Sequence, residues 1–275
     1  MIATPWRGSS PRRRKPRAAS LAEDATIPGN IGPFLAIVLG LMGAGLLVLL
    51  AGVAPVLLLP LSFKLRPLDR PALTARLLDL SQRAGVPVMG VYELGLGAKT
   101  KRANAALAGA GPSRRILLSD TMLADYTDDE IEVVLAHELG HHAHGDIARS
   151  LALESVLMLV AAGVAAVVLN AAWQPLGLRT AADPAGLPLL ALAAGAVLAL
   201  STPLVNAFSR ANERRADAFA LALTRRPAAF VSAMRRLGQQ NLEEESPSRL
   251  VVGLFRTHPP IEERIRGAAI SADLT

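Results

Sequence analysis

Three long stretches of this chain run almost without charge: Ile31 to Phe63, Ser155 to Trp173, and about Ala185 to Ser209. Each has the length and apolarity of a membrane-spanning helix. The first exceeds one crossing and is interrupted by Pro55 and Pro60, so it reads as one tilted helix with an irregular end or as a re-entrant element. The third holds Pro203, tolerable as a kink where neighbours satisfy the freed carbonyl. From Thr127 the pattern is helical: Ile131, Val134, Leu135 and Leu139 form an apolar stripe, Thr127 suits the N-cap, and Asp128, Asp129 and Glu130 suit the positive end. Apolar spacing predicts further helices at Ala72 to Ala84 and Pro227 to Asn241. Runs at Arg102 to Ala108 and Arg115 to Leu118, separated by Gly109, Gly111 and Pro112, predict a β-hairpin in a small sheet near Val88 to Leu118. The expected fold class is a mainly α membrane protein with a small β-hairpin or sheet and about three transmembrane helices.

Composition supports the membrane reading. Of 275 residues, 51% are hydrophobic and only 19% charged, too apolar for an ordinary soluble domain of this size. A buried core helix is the bland reading of the second stretch, but the rest of the chain offers too little surface to bury both later stretches. A cleaved signal peptide fits poorly, since the first apolar run is far longer than such a segment needs and a thirty-residue tail precedes it. That tail, residues 1–30, reads as disordered; its first seventeen residues hold six Lys and Arg and no acid, which equals the whole net charge of +6. Trp6 is its only aromatic, so attraction to anionic lipid explains the charge better than nucleic acid, which is not an expected partner. There is no cysteine, so neither disulfides nor thiolate metal ligation operate. No internal repeat and no glycine-rich phosphate loop is present.

Four of the five histidines fall in His137-Glu138-Leu139-Gly140-His141-His142-Ala143-His144. His137, Glu138 and His141 make the His-Glu-x-x-His pattern, in which two imidazoles one turn apart reach one zinc while the glutamate leans toward water. A catalytic zinc takes three protein ligands, so one more is needed. His144 is two turns from His137, about 10 Å along the axis, and cannot share a metal with it. The metzincin pattern requires glycine where His144 stands and is absent. The best remaining candidate is Asn212-Glu213-Arg214-Arg215-Ala216-Asp217, with Glu213 as ligand and Asp217, one turn on, as hydrogen-bond partner of a metal-bound histidine. Taken alone, such a pair is equally an ordinary solvated face balanced by Arg210, Arg214 and Arg215.

Together these motifs resemble the membrane-embedded gluzincin metalloproteases, the family that includes the CAAX prenyl protease and the bacterial heat-shock protease HtpX. The resemblance runs from about residue 60 to 266: Leu59-Pro60-Leu61, Pro67-Leu68, Asn104-Ala105 with Gly109, Arg115 to Thr121, Ala136 to His141, Asn212 to Asp217, and His258-Pro259-Pro260 with Arg264. It implies a zincin-like catalytic domain holding one zinc per chain through His137, His141 and Glu213. It implies Glu138 as the base that activates the zinc-bound water and later protonates the leaving amine. It also implies that His258 assists the transition state; as charge develops on the scissile carbonyl, His258 together with Arg264 is the candidate to stabilise it. A helix-start loop fixed by two prolines is the bland reading of His258. Asn104 and Ala105 lie on a strand that can hold an extended substrate by β-augmentation, or simply belong to an ordinary hairpin.

The expected organisation is a tail (1–30), a first membrane segment (31–63), a catalytic segment with the His-Glu-x-x-His helix (64–146), a transmembrane hairpin (147–205) and a catalytic segment with the third zinc ligand (206–275). Two crossings between the ligand-bearing helices return both to one membrane face. The basic tail argues for a cytoplasmic N-terminus, and a single first crossing would then put the site outside. The weakly charged connection from Gln174 to Gly186 and the arginines after Phe208 argue for a cytoplasmic site, the reading favoured here, in the bacterial cell membrane. Expected partners are the bilayer and protein or peptide substrates, membrane-associated or misfolded. The CAAX protease has several earlier crossings that enclose a chamber, so a closed chamber here would require homo-oligomerisation. The expected function is a membrane zinc endopeptidase. The alternative is a catalytically silent membrane scaffold or holdase that retains the zinc site, and a non-peptidase hydrolase is a third reading.

Overall fold

The computed structural model describes residues 37–50, 65–95, 104–109, 111–181, 183–241 and 247–273. The basic tail and much of the first membrane segment, including Pro55 and Pro60, lie outside them. In chain order the elements are α1 (Ile37–Leu50), β1 (Leu65–Pro67), α2 (Pro71–Arg83), β2 (Val91–Leu94), β3 (Ala105–Ala108), β4 (Arg115–Ser119), α3 (Asp120–Asp125) and α4 (Asp128–Ala143). They continue with α5 (Asp146–Ala172), α6 (Leu187–Thr224), α7 (Pro227–Asn241), α8 (Arg249–Phe255) and α9 (Ile261–Asp273). The protein is mostly helical, with one small sheet.

The sheet runs in the order β1-β2-β4-β3. β3 and β4 form the expected antiparallel hairpin, with Ala105 opposite Leu118 and Ala108 opposite Arg115. Gly109 turns it at φ +98°, where a side chain would meet the Ser113 carbonyl at 2.6 Å, so only glycine fits. β2 pairs parallel to β4 and antiparallel to β1, which leaves β3 as an edge beside α4.

α4 is held from nearly every side. Thr127 and Glu130 form a reciprocal capping box, with the Glu130 amide donating to Thr127 Oγ1 at 3.3 Å and the Thr127 amide donating to Glu130 Oε2 at 2.8 Å. Ile131, Val133, Leu135 and Leu139 are fully buried against Leu73, Leu77 and Leu80 of α2, Ile116 and Leu118 of β4, and Phe230 and Met234 of α7. The apolar stripe is thus wider than Ile131, Val134, Leu135 and Leu139 alone suggest. Even its acids are enclosed: Glu132 pairs with Arg76, and Glu130 accepts from Ser232 Oγ at 2.6 Å. This rigid bed fixes the side chains that α4 presents on its C-terminal half.

α5 and α6 are long and apolar enough to cross a membrane, and they pack on one another. Their mutual contact uses small residues such as Ala161 and Ala165, while Val156, Val160, Val167, Leu192, Leu200 and Leu204 point outward and exposed. A core helix would be mostly enclosed by protein, and these are not. α1 lies on α5 through Gly40, where an added Cβ would touch Ala162 Cβ at 3.0 Å, and Gly43, beside Met158 Sδ at 3.1 Å. α6 continues unbroken through Pro203 for 38 residues, about 57 Å, so the apolar stretch and the Glu213 segment are one helix.

Candidate metal centre

α4 and α6 approach closely at Gly140, where a Cβ would come within 3.2 Å of the Ala216 Cα. That approach sets His137 and His141 on α4 against Glu213 on α6. The two Nε2 atoms are 3.1 Å apart, and each lies 3.4 Å from an oxygen of the Glu213 carboxylate. One donor atom from each of the three residues falls within 4.8 Å of the others, the only such metal-competent group among the described residues.

The outer face of each ring is also held. His137 Nδ1 is 2.9 Å from Asp217 Oδ1, and His141 Nδ1 is 2.9 Å from Asp146 Oδ2. A carboxylate on Nδ1 draws the ring proton there and leaves Nε2 as a lone pair. Two lone pairs and a carboxylate would then face one another in a buried space, an arrangement that is repulsive without a cation. Glu213 Oε2 is buried with no hydrogen-bond partner, as a ligand oxygen would be. Two nitrogens and a carboxylate oxygen fit the donor set of a catalytic zinc.

The titration shifts point the same way. Burial opposes charge on His137, but the neighbouring Asp217 and Glu213 carboxylates outweigh it and raise the imidazole to about 9. His141 is raised against the same burial by Glu213 and Asp146. Burial works against the Glu213 charge too, yet His137 and His141 hold its carboxyl well below the usual range. Without a metal, protons take the place of the cation.

Glu138 is not part of this triad. It is half-buried, and burial raises its carboxyl, with His137, His141, Glu213 and Arg264 as its electrostatic neighbours. His258 sits at the open side, largely exposed, with Nε2 3.3 Å from Glu213 Oε1 and Nδ1 2.9 Å from Thr257 Oγ1. Arg264 is buried against Asp217 by a two-armed pair at 2.8 and 2.5 Å, and its Nη2 lies 3.8 Å from Glu213 Oε2. His144 is turned away: its Nδ1 is 2.7 Å from the Gly140 carbonyl, and its ring packs edge-on to Phe219. Asn104 exchanges hydrogen bonds with Ser119, its amide donating to Oγ at 2.8 Å and its carbonyl accepting from the Ser119 amide at 2.9 Å. Ala105 follows, buried on β3.

Asp146 is the member that the sequence motifs do not single out. It is buried at the first turn of α5, just after Gly145 turns the chain at φ +65°, and it is gripped by Arg215, one residue before Ala216 on α6. An acid five residues after the second histidine, behind a glycine, is the signal available in the sequence. Asp146→Asn keeps the packing and removes the charge that orients His141. It should weaken zinc binding by about 10–100-fold, read by competition with a chromogenic chelator, and unchanged affinity would exclude the role.

Known proteins are similar to this chain in sequence and in fold. A family model described as Peptidase family M48 matches residues 67–270. The uncharacterized metalloprotease YhfN of Bacillus subtilis (strain 168) is 32% identical over 222 residues, 78% of this chain and 52% of that protein. A CAAX prenyl protease 1 homolog of Oryza sativa subsp. japonica is 30% identical over 240 residues, 86% of this chain and 56% of that one. A Protease HtpX homolog of Syntrophobacter fumaroxidans is 33% identical over 221 residues, 72% and 75% of the two chains. The chain thus spans about half the length of the first two relatives. The crystal structure of S. mikatae Ste24p shares its fold, with a TM-score of 0.73 at 22% identity over 90% of this chain and 64% of that one.

Proposed function

This chain belongs to peptidase family M48, and from that premise we propose that it is an integral membrane zinc endopeptidase acting on extended segments of membrane-associated or misfolded proteins. The observation that carries the reading is the convergence of His137, His141 and Glu213, each imidazole steadied from behind by its own carboxylate, with Glu138 alongside. His137, His141 and Glu213 would hold the zinc, which supplies Lewis-acid polarisation of a carbonyl and acidifies water.

The chain's own groups do the rest. Glu138, its carboxyl raised by burial, accepts a proton from the attacking water and returns it to the leaving amine. His258, exposed at the rim beside Glu213, donates toward the carbonyl oxygen as charge gathers there. Arg264 acts through Asp217, whose two oxygens it holds, and so positions His137. The edge of β3, unpaired among the described residues and beside α4, offers its backbone to an extended substrate from Asn104 and Ala105 onward.

α5 and α6 form the membrane hairpin, α1 begins a third crossing, and residues 64–146 and 206–275 make one catalytic unit on a single face. The connection between the two helices carries Arg179 and Asp183, whereas Arg210, Arg214, Arg215, Arg225 and Arg226 lie on the side of the site, which favours a cytoplasmic face. The test is cleavage of an unfolded protein such as casein by the full chain in lipid nanodiscs. Turnover should vanish after chelation and return with added zinc. Zinc-loaded protein that cleaves nothing would instead favour the scaffold reading.

A further inference from the structure

α8 is seven residues long, and four of its five apolar side chains stand outward: Leu250 is 76% exposed, Phe255 74%, Leu254 41% and Val251 36%. At 100° per residue they share an arc of about 140°. The opposite side, with Val252 and Gly253, faces a cavity whose other wall includes Arg210, Arg214 and Leu221 of α6. In water such a stripe would be an unexplained patch.

The ends of α8 are closed by protein groups. Ser248 Oγ accepts from the Val251 amide at 3.3 Å. At the other end, buried Asn206 donates to the Leu254 carbonyl at 2.7 Å, and buried Arg210 donates to the Val252 and Arg256 carbonyls at 2.9 and 2.6 Å. Two of the last four carbonyls of α8, those of Val252 and Leu254, and the Arg256 carbonyl just beyond are thus bonded by α6 side chains. A helix finished in this way can enter a medium that lacks water.

Its position along α6 identifies that medium. Asn206 and Arg210 sit at the end of the apolar stretch, whose last outward residues include Leu200, 82% exposed, and Leu204, 57% exposed. At the same level Arg149 stacks over the Phe208 ring at 5.4 Å, a cation and aromatic pair suited to the headgroup boundary. Arg249 and Arg256 bracket the apolar residues in sequence, on the side away from the arc, and complement anionic headgroups.

The geometry points to α8 as an interfacial helix that lies in the bilayer surface, with Leu250, Val251, Leu254 and Phe255 among the acyl chains. The inference rests on the membrane reading above. Glu213 is seven residues beyond Asn206, about 10 Å along α6, and His258 follows α8 by three residues. α8 therefore sets the height of the metal centre above the lipid and favours chain segments emerging from the bilayer.

The chain has no cysteine, so single labels are unambiguous. Leu250→Cys and Phe255→Cys, each carrying an environment-sensitive fluorophore, are compared in the full chain with Leu200→Cys on the span and Gln82→Cys on exposed α2. Vesicles of phosphatidylcholine with one quarter phosphatidylglycerol carry a lipid nitroxide, and iodide serves as the aqueous quencher. Labels at 250 and 255 should be quenched by the nitroxide nearly as strongly as at 200, and several-fold more than at 82. Quenching of 250 and 255 by iodide alone, with 200 still quenched by lipid, would overturn the inference and leave the membrane reading intact. Shielding of 250 and 255 from both quenchers would mean that a protein surface, a second copy included, covers α8, and would equally overturn it. Label 200 beyond reach of the lipid would fell both readings.

Discussion

Glu138→Gln should abolish peptide hydrolysis, lowering turnover by about 10²–10⁴-fold, while zinc content stays at the wild-type level. The substitution is isosteric, and Glu138 is not one of the three converging donors, so the site keeps its shape. What is lost is a group able to accept a proton. Burial raises the Glu138 carboxyl from its ordinary value, which brings its basicity closer to that of the water it must deprotonate. The neighbouring imidazoles and Arg264 oppose that rise and keep the carboxylate available. An amide at this position has neither property. The measurement is initial rate against a fluorogenic peptide, normalised to zinc per chain. A variant that keeps its zinc and cleaves within a few-fold of wild type would remove Glu138 from the mechanism.

Residues close in sequence were the readable portion of this site. His137, Glu138 and His141 declare themselves because one helical turn is a local rule, and the same locality makes Thr127 legible as a cap. α7 falls on Pro227–Asn241 as its spacing indicates, and α2 is shifted by one residue at each end, from Ala72 and Ala84 to Pro71 and Arg83. Asp146 was hidden because its partner, His141, lies across the break at Gly145, and no periodicity joins two helices that meet at a turn. The parallel pairing of β2 with β4 was hidden for a related reason, since β3 intervenes and only tertiary packing selects the neighbour. The sequence pattern stops the third apolar stretch near Ser209 because hydropathy falls there. The backbone has no reason to stop: nothing between Ser209 and Thr224 breaks a helix, and α6 runs on as one rod. That continuity carries Glu213 and Asp217 to the histidines at a fixed angle, which hydropathy alone does not reveal. Arg264 was named for the carbonyl oxygen, and its guanidinium is found on Asp217, a contact between helices about fifty residues apart in the chain.

Glu213→Gln should cost more zinc affinity than Asp146→Asn, beyond the about 10–100-fold expected when a partner behind a ligand is lost. Glutamine keeps the length and one carbonyl oxygen but removes the negative charge that faces both Nε2 atoms. His144→Ala, by contrast, should leave zinc content unchanged, because its ring is occupied with Gly140 and Phe219. The proton is the competitor at this site. In the metal-free protein His137 is raised to about 9, so it is protonated at neutral pH, and zinc must displace that proton to bind. Apparent affinity should therefore climb as pH rises from 7 toward 9 and fall on acidification. Asp217 raises His137 most and Glu213 next, so Glu213→Gln should bind zinc weakly and with a somewhat shallower pH slope. Titration calorimetry at several pH values, in buffers of different ionisation enthalpy, reads both affinity and protons released. Zinc bound by Glu213→Gln as tightly and as pH-dependently as by wild type would show that the third ligand is another residue.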